Sequence, residues 1–228
     1  MNGRVAGGLR SLSPWAVIVG LCALSAFAAA SNVVPPAASH QSKSPTTSPY
    51  PRISIPRAVA PADGKIADRE LFSPDEGPDL LVVVFVSTTC PIANAAIPEL
   101  RRISEKTRSM KGELILVHPD PQVTGETVTR HDKTTRVHAT SLLDPEHRLV
   151  SMLGATVVPE AFILEREAGR WTLHYRGPVD NLYADIGRRR RQATVWHVRS
   201  ALEALERGDE IEVVSRPAIG CRIERWRP

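Results

Sequence analysis

The chain has 228 residues, of which 42% are hydrophobic and 24% charged, and its formal net charge is only +4 although the pI is near 9.2. This balance allows one packed domain of ordinary size with extra chain, and the small net charge argues against nucleic acid as a partner. The three cysteines form no CxxC pair and no zinc-type spacing with the seven histidines, so we expect neither a metal nor another cofactor.

The N-terminal residues have the pattern of an export signal. Residues 1–15 carry two arginines and no acidic residue, and residues 16–30 are uncharged, mostly apolar and end in small side chains. This order is typical of a secretory signal peptide, and the apolar run is short for a membrane span, which needs roughly 20 residues. We therefore predict a signal peptide at residues 1–30 and a periplasmic or secreted protein, with an uncleaved membrane anchor at residues 16–30 as the alternative.

The following stretch has the composition of a spacer. Residues 31–62 contain seven of the nineteen prolines, several serines and few strongly apolar side chains. Such a sequence buries too little surface to offset the entropy lost on ordering. We predict a disordered linker at residues 31–62, partly in the polyproline II conformation, and a folded domain at residues 63–228.

A buried strand leads directly into a cysteine at the predicted start of a helix. Residues 81–86 form an unbroken apolar, largely β-branched run, which is typical of a strand buried on both faces. Cys90 follows three small polar residues, and Pro91 fits the first helical turn because its missing N–H costs nothing there. The unpaired N–H groups and the positive end of the helix dipole favour a thiolate over a thiol. We therefore expect Cys90 to be a reactive thiol with a lowered pKa.

The segments after this cysteine alternate between helical and strand patterns. A helix is predicted from Cys90 to about Met110, kinked at Pro98 because proline removes one backbone donor. The apolar run at residues 113–118 then completes a strand–helix–strand crossover, which is a parallel, right-handed unit. Three further elements are predicted: a helix at 124–138 capped by Thr124, a short edge strand at 142–144, and a helix at 145–153 closed by Gly154.

The last third of the chain predicts a hairpin and a final helix. The strand at residues 157–164 has Pro159 near its start, and the Val158–Pro159 bond is a candidate for the cis isomer. The remaining predicted elements are an edge strand at 171–176 after a turn at Ala168–Gly169, an irregular segment to Arg191, and a helix at 194–207 capped by Thr194 with Val195 on its apolar face.

This order of elements, with a cysteine at the first helix start and a proline heading the third core strand, resembles the thioredoxin fold. That resemblance implies an α/β fold with a central mixed sheet flanked by helices, over about residues 63–221. Within the superfamily the chain is similar to exported redoxins, the group of thiol–disulfide reductases and peroxiredoxin-like proteins. Cys90-Pro91, followed eight residues on by Pro98-Glu99-Leu100, matches the reductase spacing, and Val158-Pro159 corresponds to the cis-proline site. Ile219-Gly220-Cys221 is similar to the end of a redoxin subgroup with a Cys-Pro-Ile-Ala-Asn site.

The chain departs from both family patterns. Ala93 stands where CxxC proteins have their second cysteine, and Val84 stands where thioredoxins have a buried acid that helps deprotonate that second thiol. The two losses are consistent with each other because the acid serves the missing cysteine. On the peroxiredoxin side, Ser87 could supply a peroxide-facing hydroxyl, but Val83 replaces the proline that this motif normally has.

A thiolate that attacks a disulfide or a peroxide forms a product that a second thiol must resolve. If the signal peptide is cleaved, Cys22 leaves with it and Cys221 is the remaining candidate in the chain. Three interpretations stay open: Cys90 attacks and Cys221 resolves, the two form a plain stabilising disulfide, or Cys221 is buried and inert while an external thiol resolves Cys90. The resemblance implies a substrate-binding surface made of Thr89, Pro91, Val158 and Pro159.

Other polar residues near the predicted site have ordinary structural explanations. His118 ends a strand beside the site and could tune the thiolate, although a core or surface role is the commoner one. Glu99 and Asp180 could order water, or could serve as capping or surface groups. The run Arg188–Arg191 could bind anions, but it is typical of a solvated loop. Asn94 stands where a copper chaperone would need a second cysteine.

Together these features favour an exported thioredoxin-like oxidoreductase that uses Cys90 as a thiolate nucleophile in thiol–disulfide exchange. The expected partners are protein thiols or disulfides, or small hydroperoxides, with an external thiol as electron donor. No nucleic acid is expected, and a membrane only through the N-terminal segment. The alternatives are a thiol-dependent peroxidase, and a non-catalytic thioredoxin-fold module that binds extended peptides along the Pro159 groove.

Overall fold

The computed structural model describes residues 53–55, 68–209 and 217–224 of the chain. The predicted signal peptide at residues 1–30 lies outside the described residues, as does the predicted linker at 31–62 apart from three residues. Those three form a strand that pairs antiparallel with Arg69–Leu71. Their sequence, Ile53-Ser54-Ile55, has the apolar–polar–apolar alternation of a strand.

The described elements follow one another in short, regular alternation. The strands are β1 (Ile53–Ile55), β2 (Arg69–Leu71), β3 (Leu80–Phe85), β4 (Glu113–His118), β5 (Thr140–Leu143), β6 (Val157–Val158), β7 (Glu160–Glu167), β8 (Arg170–Gly177), β9 (Tyr183–Asp185), β10 (Arg188–Arg189) and β11 (Cys221–Arg222). The helices are α1 (Pro91–Ala95), α2 (Ile97–Ser109), α3 (Gly125–Thr135), α4 (Arg148–Leu153) and α5 (His197–Arg207). None of these helices has the length and hydropathy needed to cross a bilayer.

Five strands form the central sheet, in the order β5-β4-β3-β7-β8. β3 is parallel to β4, which is parallel to β5, whereas β7 runs antiparallel to both β3 and β8. β3 is buried along its whole length because it lies in the middle of the sheet with its two faces covered. The α2 helix contacts β3 and β4, α5 contacts β7 and β8, and the two helices contact each other. The predicted α/β class, a central mixed sheet flanked by helices, is confirmed.

Pro98 divides the predicted helix at residues 90–110 into α1 and α2 instead of kinking it. A proline here cannot donate to the carbonyl of Asn94, so the hydrogen-bond ladder is interrupted. A new helix, α2, starts after Ala96, whose carbonyl accepts from the N–H groups of Glu99 and Leu100 at 3.0 and 2.9 Å. As a result, Cys90 begins a short helix of its own.

Several local predictions are confirmed. Thr124 is the N-cap of α3 and accepts a hydrogen bond from the Thr127 N–H. Gly154 ends α4 with a φ of 72°, and Ala168 and Gly169 turn the β7–β8 hairpin with φ values of 48° and 76°. The side-chain oxygen of a threonine and the conformational freedom of a glycine mark such ends in the sequence because they satisfy local backbone requirements.

The segment after β8 differs from the prediction. β9 and β10 form a small antiparallel hairpin where an irregular segment was expected. The final helix begins at His197, and Thr194 is not its cap. Thr194 bonds to Asn181 instead: the Asn181 side-chain N–H donates to Thr194 Oγ1 at 2.9 Å, and Asn181 Oδ1 accepts from the Thr194 N–H at 2.8 Å. Val195, predicted to lie on the apolar face of this helix, precedes it and is 41% exposed.

Candidate active site

Cys90 is the N-cap residue of α1, directly after the loop that leaves β3. Its carbonyl accepts the first helical hydrogen bond from the Asn94 N–H at 2.9 Å, and Pro91 occupies the first helical turn. The loop is fixed at its other end by Val86, whose N–H donates to the Val117 carbonyl at 2.8 Å. The Cys90 side chain makes no capping hydrogen bond to α1, and the N–H groups at a helix start favour a negative charge on the N-cap residue.

The structure joins Cys90 to Cys221 in a disulfide, with the two Cα atoms 6.3 Å apart. The interpretation in which Cys221 is unpaired and inert is therefore contradicted. A redox pair and a plain stabilising disulfide remain as interpretations. Cys90 is only 3% exposed, whereas Cys221 is half-buried.

Val158, the residue before Pro159, lies against this disulfide. The Val158–Pro159 peptide bond is cis, and the Val158 carbonyl oxygen is 3.4 Å from Cys90 Sγ. A disulfide sulfur has no proton to donate, so this is a close contact in the oxidised protein and can become a hydrogen bond only once Cys90 is a thiol. Of the four residues that the sequence assigned to the substrate surface, Val158 contacts the sulfur, and Thr89 and Pro91 flank Cys90 in the chain.

The C-terminal segment reaches the site by adding a strand to β6. β11 runs antiparallel to β6, with Cys221 opposite Val158 and Arg222 opposite Val157. The Ile223 N–H extends the contact by donating to the Thr156 carbonyl at 3.0 Å. Sequence reasoning missed this pairing because two-residue strands carry no periodic signal of their own.

Gly220 is essential for how closely this segment approaches. A Cβ atom at Gly220 would lie 2.2 Å from the Val158 carbonyl oxygen and 2.6 Å from its carbon, which no side chain can occupy. The glycine immediately before Cys221 is the sequence signal that could have indicated this close backbone contact.

One cavity borders the disulfide, and a second lies next to Pro159. A cleft of about 530 Å³ is lined on one side by Ser87, Thr89 and Cys90, and on the other by Val158 and the segment Cys221–Glu224. A second cavity of about 320 Å³ is bordered by residues that include Ile92, Pro159, Asp180, Tyr183, His197 and Ile219. Ser87, the predicted peroxide-facing hydroxyl, and Thr89, from the predicted substrate surface, are both in the cleft, with Ser87 Oγ and Thr89 Oγ1 3.1 Å apart. Pro91 is exposed.

Glu160, the residue after Pro159, holds the backbone of Thr156 and Val157 in place. The residue is 3% exposed, and its carboxylate accepts from the Thr156 N–H at 2.7 Å, from the Val157 N–H at 3.4 Å and from Arg176 Nε at 2.9 Å. These bonds fix the two-residue strand β6 on which Cys221 rests. Sequence reasoning missed this role, although an acidic residue within a predicted core strand was a usable signal.

Asn94 connects the loop before Cys90 to α3. Its amide donates to the Thr88 carbonyl at 3.0 Å, and its oxygen is 2.9 Å from His131 Nε2. The residue that argues against a copper chaperone in the sequence therefore has a structural role, because it holds the cysteine loop in place.

His118 is a core residue and lines neither cavity. It is 1% exposed, and neither ring nitrogen has a hydrogen-bond partner among the described residues. Burial, with a smaller contribution from His131, lowers the pKa of His118 from 6.5 to about 3. The side chain is thus neutral near pH 7, and the suggestion that it tunes the thiolate receives no support.

The burial of His118 makes a prediction about stability. Because its pKa is about 3 in the folded protein and near 6.5 in the unfolded chain, the unfolded state binds more protons between these values. As the pH is lowered through this range the free energy of unfolding therefore decreases, by about 2 kcal/mol between pH 7 and pH 5 from this residue. His118→Leu is expected to remove that part of the pH dependence in urea unfolding, whereas His138→Leu, at a more exposed histidine, should keep it. An unchanged pH dependence in His118→Leu would contradict this assignment.

The remaining polar candidates have structural roles. Glu99 is buried and pairs with Arg199 and Arg102, which ties α2 to α5. Asp180 accepts the Leu182 N–H at 2.8 Å, and burial raises the pKa of its carboxyl, opposed by that bond and by His197. The Arg188–Arg191 run is exposed, but its first two residues form β10 and are not part of a loop.

The strand order, the helix that starts at Cys90 and the cis-proline opposite it define a thioredoxin-like fold. No protein-family model matches the chain, and no curated protein matches it. Among solved structures it is similar to a hypothetical protein from Sinorhizobium meliloti, with 22% identity, a TM-score of 0.63, and coverage of 79% of this chain and 94% of that one. It is also similar to an uncharacterized conserved protein from Geobacillus kaustophilus, with 19% identity, a TM-score of 0.65, and coverage of 81% and 93%. These matches show the fold alone.

A secreted disulfide oxidoreductase from Mycobacterium tuberculosis is a more distant match. It shares 14% identity and a TM-score of 0.41, over 53% of this chain and 81% of that one. Because the superposition is so partial, it carries no argument about what this chain does.

Proposed function

We propose that the protein is an exported thiol oxidoreductase in which Cys90 is the attacking thiolate and Cys221 the resolving thiol. The observation that carries this proposal is the Cys90–Cys221 disulfide, placed at the start of α1 and against the cis Val158–Pro159 bond. A disulfide that only stabilised the chain would need neither a helix start nor an adjoining cleft. A redox pair uses both, since the helix start stabilises a thiolate and the cleft admits the reacting partner.

The reducing half of the cycle consists of two exchanges. The Cys90 thiolate attacks one sulfur of a substrate disulfide, forms a mixed disulfide and releases the other substrate sulfur as a thiolate. The Cys221 thiolate then attacks Cys90 Sγ, which forms the intramolecular disulfide and releases the first substrate sulfur. Two electrons have passed from the protein to the substrate, and the two substrate thiolates take up protons from water.

An external thiol regenerates the reduced protein. It meets the half-buried Cys221 sulfur more readily than that of Cys90, which is 3% exposed. Attack at Cys221 makes Cys90 the leaving group, and the free N–H groups of the first turn of α1 stabilise the departing thiolate. A second external thiol displaces the first from Cys221, so the donor leaves as a disulfide.

Export and domain organisation belong to the same proposal. Residues 1–30 direct the chain out of the cytoplasm, either as a cleaved signal peptide or as an anchor, and the redox domain follows. A disulfide formed between the two cysteines outside the signal segment agrees with an oxidising compartment.

A thiol-dependent peroxidase is the second candidate, favoured by one specific observation. The hydroxyl groups of Ser87 and Thr89 share the 530 Å³ cleft with Cys90, where they could hydrogen-bond a peroxide. In that case the Cys90 thiolate would take one peroxide oxygen to become a sulfenic acid, and the rest of the peroxide would leave as water or an alcohol. The Cys221 thiol would then condense with the sulfenic acid, which forms the disulfide and releases a molecule of water.

The reactivity of Cys90 tests the proposal most directly. In the Cys221→Ser variant, the alkylation rate of Cys90 measured against pH is expected to give an apparent pKa clearly below about 8.5, the value for a free cysteine. The matched control is Cys90→Ser, in which Cys221 should titrate like an ordinary thiol. An apparent pKa for Cys90 at or above the free value would contradict the activation by the helix start.

The substrate class requires a separate assay. Reduction of insulin or glutathione disulfide with an added thiol would support the reductase, and steady consumption of hydrogen peroxide would support the peroxidase. Failure in both assays, together with ordinary alkylation of Cys90, would favour a non-catalytic peptide-binding module.

A further inference from the structure

The hairpin of β9 and β10 brings exposed apolar side chains and positive charge together in one short stretch. Among the described residues, the exposed large hydrophobic side chains are those of Ile186, Val195 and Trp196, at 72%, 41% and 40% exposure. Residues 183–196, from the start of β9 to the residue before α5, also contain four arginines and one aspartate. This stretch therefore has a net charge of +3, against +4 for the whole chain.

The base of the hairpin is fixed, whereas its turn projects into solvent. The Arg190 N–H donates to the Leu182 carbonyl at 2.8 Å, and Arg190 Nε donates to the Asn181 carbonyl at 3.0 Å. Asn181 Oδ1 also accepts from the Val195 N–H at 3.0 Å, which holds the segment before α5 beside the hairpin base. At the turn, Gly187 has a φ of 78°, and a Cβ atom there would meet no other described residue within 4 Å apart from its chain neighbours.

Most of the positive charge on the hairpin is not neutralised within the described part of the chain. Arg188, Arg189 and Arg191 form no ion pair with an acidic side chain among the described residues. Asp185, which lies opposite Arg188 in the ladder, accepts the Ile186 N–H at 2.8 Å. The planar guanidinium group fits two oxygens of a phosphate at once, so these side chains are suited to bind phosphate groups.

We propose that the β9–β10 hairpin is a membrane-docking element that binds the surface of a bilayer containing anionic phospholipids. The Ile186 side chain enters the boundary between head groups and acyl chains, and the arginines that follow it bind lipid phosphates. Trp196, next to Val195 at the hairpin base, adds an indole, which favours the same interface because one end is apolar and the other polar. Docking does not depend on the redox chemistry of Cys90.

The shape of the hairpin favours a bilayer over an acidic protein as the partner. A protein interface of standard size buries about 800 Å² on each side and requires a surface of matching shape. Here residues 184–192 are exposed in one continuous run around an open turn, so they present a narrow, convex surface. Lipids rearrange around a projecting turn, and their head groups place negative charge on every side of it.

Vesicle binding by the full chain tests this inference. Sedimentation with vesicles of equal parts phosphatidylglycerol and phosphatidylcholine gives the partition constant. For Arg188→Gln/Arg189→Gln/Arg191→Gln it is expected to be about a hundredfold lower than for the unmodified protein, because each basic side chain near an anionic surface contributes roughly fivefold. Ile186→Ser should lower it about tenfold through the loss of apolar contact. Vesicles of phosphatidylcholine alone should remove the difference between the arginine variant and the unmodified protein.

A charge-matched variant is the control. Arg108→Gln/Lys111→Gln/Lys133→Gln removes three exposed basic side chains that lie on or next to α2 and α3 and not on the hairpin. Its net charge equals that of the arginine variant, but its partition constant should remain close to that of the unmodified protein. Equal losses in the two variants would show that the overall charge, and not the hairpin, attracts the chain to lipid, and would overturn the inference.

A local probe decides the question even if the predicted anchor at residues 16–30 holds every variant on the vesicles. In Ile186→Trp, the fluorescence of the added tryptophan is expected to be quenched by brominated phospholipids in phosphatidylglycerol vesicles, whereas in Arg108→Trp it should not be. The absence of quenching at residue 186 would overturn the inference. Binding of polyglutamate that depends on the three arginines, without lipid quenching at residue 186, would assign the surface to an acidic protein partner instead.

Discussion

Replacing Cys90 by serine is expected to abolish reduction of disulfide substrates, with a loss of about a thousandfold or more. The reason is that the variant lacks the nucleophile on which both exchanges depend. The measurement is thiol-dependent turnover of glutathione disulfide or insulin under conditions in which the unmodified protein is active.

The Cys221→Ser variant is the matched control for this experiment. It retains the nucleophile, so it should form a mixed disulfide in a single turnover, detectable by mass spectrometry, but should release product slowly without its resolving thiol. Equal turnover in Cys90→Ser and the unmodified protein would show that the disulfide is structural, and Cys90 would then have no catalytic role.

Glu160→Ala is expected to have the largest effect on stability among the buried polar positions around the site. The substitution removes a buried carboxylate that accepts from two backbone N–H groups and from Arg176. Losing one partner of a buried pair typically costs about 3–5 kcal/mol; because the Arg176 side chain is 31% exposed and can return to water, we expect about 2–4 kcal/mol. The measurement is the free energy of unfolding in urea, with the disulfide intact.

Two further variants define what Glu160 does. Glu167→Ala, at the exposed end of the same strand, should change the free energy of unfolding by no more than about 0.5 kcal/mol. Glu160→Gln keeps a side-chain acceptor and should lose less than the alanine variant. If Glu160→Ala costs no more than Glu167→Ala, the carboxylate does not hold the backbone of residues 156–158 as described.

The elements that the sequence predicts well are those whose signal is local. The strands β3 and β4 are continuous apolar runs, and Thr124 and Gly154 mark helix ends because their side chains or backbone satisfy the ends directly. The position of Cys90 at a helix start belongs to the same group, since the preceding strand and Pro91 determine it within a few residues. Local patterns were therefore enough to predict the place of Cys90 in the fold and the central sheet.

The features that the sequence did not predict depend on contacts between distant residues. Thr194 has the residue type of a helix cap, but its hydroxyl bonds to the Asn181 side chain and does not cap α5. The β6–β11 pair joins segments about sixty residues apart in the chain. Its register depends on the close contact between Gly220 and Val158, which no local sequence pattern indicates. The sequence shows only an acidic residue within a strand at Glu160. Its role depends on Arg176 and on the backbone before Pro159, which are its hydrogen-bond partners in the folded protein. Packing between such segments decided these parts of the site.

The sequence distance between the two bonded cysteines has a consequence for the lifetime of the protein. The disulfide closes a loop with a sequence separation of 131, which contains most of the described domain. By the chain-entropy relation, such a loop stabilises the folded state by about 5 kcal/mol, and every reduction withdraws that contribution until the bond reforms. A protease acting on transiently unfolded molecules would therefore degrade the reduced form faster. Surroundings rich in thiols are expected to shorten the survival of this protein, and oxidising ones to prolong it.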